Sequence, residues 1–592
     1  MIDSPAHRPD GHRGLGTFRA RLSERSLVSS LFGIAYVLGL VLGRSIGLQS
    51  VRDIRFDDET IYLDHGIRFL EGAVPADRSP LYQLWYWLQS LIIKDPVDLY
   101  YSNWSALLFI NLLVLWFLLA KMRVPRVLSV VLLALFSTLM LFEVWPYVTL
   151  LSMAGVGMAM CLTSGLRSWI STLSTLSAIF GILAFVRPEL TTSFLLSVLT
   201  LICVGWFENG TIARKAGAFA IAVVPFLSLL VIFGNPFGGS RLFHAFGQHY
   251  ALNVVQTESL QVDPWNSHPE IWRRDFGDSG SVWDALRTNP KRVAWHVRAN
   301  VRNLTSALYI FAPAVALSRL RITLGLFVAA GVLLGGIVGL RTIYARGAQA
   351  FWTDHSPESH VLIATAVAAV PSLVPMVLIY PRAHYLLAPS LGVLAFSAWG
   401  LSELLARTGL CGRNRWQGVV AAGLACLVVL PGSSGLEPWY LRGTVLATEL
   451  KGYVKEHILG RSGNRAPSGS EPEHLESIAT IRFLRSLHIS IARGERIGVL
   501  EADYSRAVYT GWQFHRINQT QCRPFIECIR RERPEIIVNN LRLRKYYSTL
   551  NDDGYETFWT RPETLGYKRI EIPGQEVQIF VRADIIGRPA AQ

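Results

Sequence analysis

The sequence predicts a polytopic α-helical membrane protein of about 11 spans with a C-terminal extracytoplasmic α/β domain. Three observations predict it. Of 592 residues, 51% are hydrophobic and 17% charged, with a mean hydropathy of +0.31, whereas a soluble chain of this size carries about a quarter charged residues. The apolar excess is gathered into blocks of the length a bilayer demands, roughly 20 residues. Past residue 433 the blocks end, and strand-like and helix-like segments alternate.

Residues 1–26 are polar and basic, with Arg8, Arg13, Arg19, Arg21 and Arg25, and read as a cytoplasmic N-terminus. The run Leu27–Leu48 is too long for a signal-peptide core and lacks a small-residue cleavage site, so it reads as an uncleaved first span. Hydropathy places spans near 27–46, 103–120, 127–144, 147–163, 169–186, 190–207, 216–233, 322–340, 361–380, 385–403 and 416–432. The membrane module is therefore 27–432, with long outer loops at 47–102 and 234–321. With the N-terminus inside, the Lys121–Arg126 turn, Arg167, Arg214-Lys215, Arg341, Arg346 and the Arg407, Arg413, Arg415 loop all fall on the cytoplasmic side, as the positive-inside rule asks. Asn303–Leu317 is apolar as well. If it crossed, the 407–415 cluster would face outside, so it reads as an interfacial or re-entrant helix.

This topology accounts for the net charge of +14. No basic cluster has the interleaved aromatic residues of a nucleic-acid surface, so nucleic acid is not an expected partner. The span centres carry almost no ionisable residues, which counts against an ion-driven pump or symporter.

The 433–592 segment reads as a small α/β layer domain. Helical patterns cover Thr444–Leu459, His474–Leu487 and Pro524–Glu532. Strands are expected at Arg496–Leu500 and Glu535–Val538, and a hairpin at Lys568–Ile572 and Val577–Val581 about Pro573-Gly574. Cys161, Cys203 and Cys426 lie in apolar spans and Cys411 in a basic loop, while Cys522 and Cys528 are placed to form a disulfide if this domain is extracytoplasmic. No Cys/His spacing resembles a zinc site.

Three polar constellations fall on the outer side. The first is Asp57-Asp58-Glu59, about ten residues after the first span. An acidic triplet alone is most often a solvated loop. Arg187 and Glu189 form a charged turn between two spans, and Arg382, His384 and Tyr385 form another. Headgroup anchoring and the aromatic belt explain an outer Arg and Tyr without function, yet outer arginines run against the inside bias. Residues Ser79–Ile93 are amphipathic, with Leu81, Trp85, Leu88 and Ile92 on one helical face, and should lie in the membrane interface. His244, His249, His268 and His296 in the 234–303 loop have no metal-ligand spacing and no assigned role.

These motifs resemble the GT-C superfamily of polyprenyl-phosphate-dependent glycosyltransferases, in the branch with protein mannosyltransferases and aminoarabinose transferases. The likeness rests on Asp57-Asp58-Glu59 followed by Tyr62–Gly72 and Ser79-Pro80-Leu81-Tyr82, on Arg187-Pro188-Glu189, on Arg382–Tyr385 followed by Leu-Leu-Ala-Pro, and on Arg533–Val538 in the tail. It implies an inverting glycosyltransferase of the cell (inner) membrane, with a GT-C-like fold and its C-terminal domain periplasmic or extracellular. Asp57 or Asp58 would be the catalytic base. Arg382 would pair with the donor phosphate, helped by Arg187 and His384, with Glu59, Glu189 and Tyr385 also in the substrate site. The expected partners are a polyprenyl-phosphate sugar donor and a lipid, glycan or protein acceptor. No cofactor is certain. The acids also suit a divalent cation, Mg or Mn, and that question stays open.

One argument for the donor stands without the resemblance. The longest inside loop is about 341–360, shorter than the roughly 50 residues a nucleotide-sugar domain needs. A sugar donor must then arrive through the membrane or from outside. The competing readings are a flippase or transporter for a polyprenyl-linked glycan and a non-catalytic envelope scaffold.

Overall fold

The computed structural model describes residues 30–308, 333–345, 355–407, 476–487 and 496–585, apart from breaks of one to three residues. Most of the chain is helical, and a small sheet lies near the C-terminus. The apolar interfacial or re-entrant helix expected at 303–317, the span at 416–432 and the helix at 444–459 lie wholly or largely outside the described residues.

The first helix, α1, is Ser30–Ser45. The outer loop after it folds into α2 (Asp58–Ile67) and α3 (Pro80–Ser90). A bundle follows: α4 (Pro96–Lys121), α5 (Arg126–Phe142), α6 (Val148–Thr163), α7 (Trp169–Leu183), α8 (Leu190–Phe207) and α9 (Ile212–Phe233). Asp95 caps α4 by accepting from the Val97 and Asp98 amides, and Pro96 at the first helical position needs no donor there.

Among the described residues, four helices are long and apolar enough to cross a membrane: α4, α8, α9 and the later α15 (Pro357–Leu378). Apolar helices α1, α5, α6, α7 and α14 (Leu333–Ala345) coincide with other expected spans but are shorter in their described parts. The expectation of about 11 spans thus reduces, among the described residues, to four helices of sufficient length. Large apolar side chains are exposed along α9, Val231 at 86% and Ile232 at 66%. Contiguous exposed apolar surface of this kind requires a partner phase other than water.

The 234–308 loop is a helical layer: α10 (Arg241–Glu258), α11 (Pro264–Phe276), α12 (Val282–Thr288) and α13 (Pro290–Leu308). Its core is Phe246, Tyr250, Ile271, Trp272 and Phe276. This layer is tied to the C-terminal end of α15, whose last carbonyls have no amide donor within the helix. Asn300 donates to the Val377 carbonyl at 2.9 Å, and His296 Nε2 faces the carbonyls of Leu378 and Ile379 at 3.2 and 3.1 Å. Two carbonyls can only accept, so that nitrogen carries the proton. Helix α16 (Ser390–Arg407) completes the bundle.

The C-terminal domain consists of α17 (Glu476–Ser486), β1 (Ile497–Glu501), β2 (Phe514–Asn518), α18 (Phe525–Glu532), β3 (Ile536–Asn539), α19 (Leu541–Thr549), α20 (Asp553–Thr560), β4 (Tyr567–Glu571) and β5 (Gln578–Arg582). The sheet order is β2-β1-β3-β5-β4, with β1 parallel to β2 and β3, and β5 antiparallel to β3 and β4. The expected strands and closing hairpin are present; β2, α19 and α20 were not expected. Strand β1 is buried throughout, as a central parallel strand must be. A Cys522–Cys528 disulfide ties the start of α18.

This domain docks on the first outer loop. Asp53 accepts from the backbone amides of Ser477 and Ile478 at 2.9 and 3.0 Å, so it caps α17 from a distant part of the chain. Thr60 and Tyr509 share a 3.0 Å hydrogen bond, and Arg485 pairs with Asp95 at 2.8 Å. Val508 and Tyr509 enter the same apolar core as α4.

Candidate functional site

One cavity of about 1630 Å³ lies where the outer loop, the turns before α8 and after α15, the 234–308 layer and the C-terminal domain meet. It gathers Asp57, Asp58, Arg187, Glu189, Arg382, His384 and Tyr385, which the sequence scatters over more than 300 residues.

Glu59 does not line it. This carboxylate is fully buried: Oε1 accepts from the hydroxyls of Tyr82 and Tyr86, each at 2.5 Å, and Oε2 from the Tyr147 amide at 2.8 Å. Burial raises its pKa to about 7, against the pull of those hydrogen bonds. Helical spacing explains the split: Asp58 and Glu59 are neighbours about 100° apart on α2, so one faces the cavity while the other faces the core. The inner face of α3 is Tyr82 and Tyr86, both fully buried, while Leu88 and Ile92 of its apolar face are exposed at 47% and 85%.

Asp57 precedes α2 at φ +66°, and its side chain makes no capping bond to the helix. A non-glycine residue in that region is strained. Its carboxylate instead lies 3.5 Å from Arg542 of α19. Ser79, also lining the cavity, precedes α3 at φ +59°.

Arg187 ends the turn after α7. It pairs with Glu189, and its guanidinium lies 5.3 Å from the centre of the Tyr385 ring, within cation–π range. Arg382 lies 5.8 Å from the Trp265 ring centre. His384 opens onto the cavity among these groups. Burial and the charges of Arg187, Arg382 and Arg241 hold its pKa well below the ordinary histidine value, so the imidazole is neutral. His249, stacked on Tyr380 at 5.0 Å, is pushed down to about 3 by burial and Arg382. Two neutral imidazoles thus sit among arginines without adding charge.

Several lining residues were not anticipated. Arg241, at the start of α10, donates to the Tyr62 hydroxyl at 2.7 Å and the Asp77 carbonyl at 3.1 Å. Burial alone would lower its pKa, but Tyr62 and Asp58 hold it above the usual arginine value. Its signal was present, because it is another arginine in an outer loop against the inside bias. His249 and Trp265 had no comparable signal, nor did Arg523, Arg542, Lys545 and Tyr546 of the C-terminal domain. Another part of the wall is apolar: Val282 and Leu286 of α12, Val293 and Val297 of α13, and Val374 and Leu378 of α15.

Among the described residues no group of three His, Cys, Asp or Glu side chains is placed to hold a metal ion. The fold and cavity define a coarse class: a helical chain with apolar helices able to cross a membrane and a small α/β domain closing a charged cavity. Comparisons with family models, curated proteins and solved structures give no match.

Proposed function

We propose that this chain is a multi-pass membrane glycosyltransferase, of about 11 spans, that moves a sugar from a polyprenyl-phosphate carrier to an acceptor on the outer face. The observation that carries the reading is the cavity wall. Asp57 and Asp58 and the arginines Arg187, Arg241 and Arg382 line one space together with the apolar side chains of α12, α13 and α15. A lipid-linked sugar phosphate needs these three surfaces at once: an apolar surface for the chain, cations for the phosphate and a base for the acceptor.

Asp58 or Asp57 takes the proton of the acceptor hydroxyl as its oxygen attacks the anomeric carbon. The bond from that carbon to the phosphate oxygen breaks with its electron pair, and Arg382, Arg187 and Arg241 stabilise the phosphate that leaves. Arginine suits this role, being always charged and able to grip two oxygens at once. The base acts within hydrogen-bond reach of the acceptor oxygen. Neutral His384 and His249 contribute polar contacts without opposing the arginines.

The orientation follows from the basic turns, with Lys121–Arg126, Arg167 and Arg214-Lys215 cytoplasmic and the cavity on the other side. The Cys522–Cys528 disulfide agrees with an oxidising compartment for the C-terminal domain. The deciding test reconstitutes the full chain in lipid nanodiscs with a labelled polyprenyl-phosphate sugar and a membrane-extract acceptor. Transfer of label that requires Asp57 or Asp58 supports the reading. Carrier translocation without transfer replaces it with a flippase.

A further inference from the structure

Two separate sets of cations line the cavity. Arg187, Arg241 and Arg382 come from the membrane module and cluster on His384, whose pKa all three depress. Arg523, Arg542 and Lys545 come from the C-terminal domain, on the wall where Arg542 meets Asp57. The domain's share of the wall carries these three cations and no acid, whereas the membrane module's share mixes its arginines with Asp57, Asp58, Asp77, Glu189 and Asp263.

The two adjacent acids connect these sets. Asp58 acts electrostatically on Arg241, on the membrane side, while Asp57 pairs with Arg542, on the domain side. The second set is also built rather than incidental. The Arg523 guanidinium lies 4.7 Å from the Tyr546 ring centre, which fixes it at the wall. Gln519, 9% exposed, lines the same wall, and its Oε1 is buried without a hydrogen-bond partner. A buried polar atom left unpaired costs free energy unless a ligand or water satisfies it.

A donor with one phosphate occupies one cationic set. We propose that Arg523, Arg542 and Lys545 form the acceptor subsite, and that the acceptor is an anionic saccharide, bearing phosphate or carboxylate. This rests on the glycosyltransferase reading above and assigns the substrate class that reading leaves open. The anionic group docks on the C-terminal domain and presents a neighbouring hydroxyl to Asp57 and Asp58.

The test measures binding to the full chain in nanodiscs. Farnesyl phosphate probes the membrane-side set; glucose 6-phosphate, glucuronate and glucose probe the domain-side set. The wild type should bind at least one anionic sugar about tenfold more tightly than glucose, and the better anion separates phosphate from carboxylate. The triple variant Arg523→Gln, Arg542→Gln, Lys545→Gln should erase that preference and keep farnesyl phosphate affinity within about twofold. Lys545→Arg, which keeps the charge, should preserve the preference. Glucose binding as tightly as both anions overturns the proposal. So does a preference that survives the triple variant, or one lost together with farnesyl phosphate binding. If the wild type binds anionic sugars but not farnesyl phosphate, the donor reading fails and the domain-side anion site stands.

Discussion

The carboxylate of Asp57 lies 3.5 Å from the guanidinium of Arg542, so the first outer loop and the C-terminal domain meet across the candidate site. Asp57 holds a strained backbone conformation there, and its side chain does not cap the helix it precedes. A carboxylate that does not cap its own helix and instead pairs across the cavity lies beside any ligand held there, and backbone strain of this kind is common at functional positions.

The two acids should therefore be required for chemistry rather than for folding. Asp58→Asn and Asp57→Asn are expected to leave expression and melting temperature near wild type. At least one should lower transfer by about 10²–10⁴-fold, the range for loss of a general base. Single-turnover assays with labelled donor measure this, and full activity in both variants would refute the assignment.

Arg382 is expected to act on the donor. Its replacement by alanine removes charge-assisted hydrogen bonds worth about 1.5–3 kcal/mol, so kcat/KM for donor should fall roughly 10- to 150-fold. The acceptor KM should change much less. Steady-state kinetics with donor and acceptor varied in turn decides the matter, and an unchanged donor KM and kcat would count against the role.

Glu59 makes stability depend on pH. The folded protein holds its pKa at about 7 against an ordinary 4.5, so it retains a proton that the unfolded chain releases. That contribution is fully present below about 4.5 and is lost as pH rises through about 7, on the order of 3 kcal/mol in all. Thermal melts between those limits should show the fall. Glu59→Gln should flatten it, because an amide still pairs with the Tyr147 amide and the tyrosine hydroxyls at every pH.

Asp53 holds the domains together by capping α17 from outside. Asp53→Ala should cost about 0.5–2 kcal/mol, the usual loss for a helix cap, and should speed proteolysis between the two parts. Asp53→Asn keeps one of the two acceptor oxygens and should fall between the wild type and Asp53→Ala.

How much of this was legible in advance differs by level. Apolar blocks mark helices because burial or lipid contact needs a run of a fixed length, and α4, α6, α7, α8 and α9 fall where hydropathy placed them. Strands β1, β3 and β5 were legible from their apolar β-branched runs, and the edge strand β4 only through the Pro573-Gly574 turn that joins it to β5. Strand β2 (Phe-His-Arg-Ile-Asn) was not, because an edge strand half open to solvent carries little of that pattern. The outer arginines Arg187 and Arg382 stood out against the charge bias, and Arg241 carried the same mark unnoticed.

The sequence by itself determined that apolar helices dominate, where the basic turns fall and which outer charges are out of place, because these are local properties of length, hydropathy and sign. Only the tertiary structure decided that Asp58 faces the cavity while Glu59, one residue on, is sealed among tyrosines. It alone brought Arg523, Arg542 and Lys545 opposite Asp57. The physical reason is that side-chain direction on a helix, and contact between segments hundreds of residues apart, are set by packing, on which no local pattern reports.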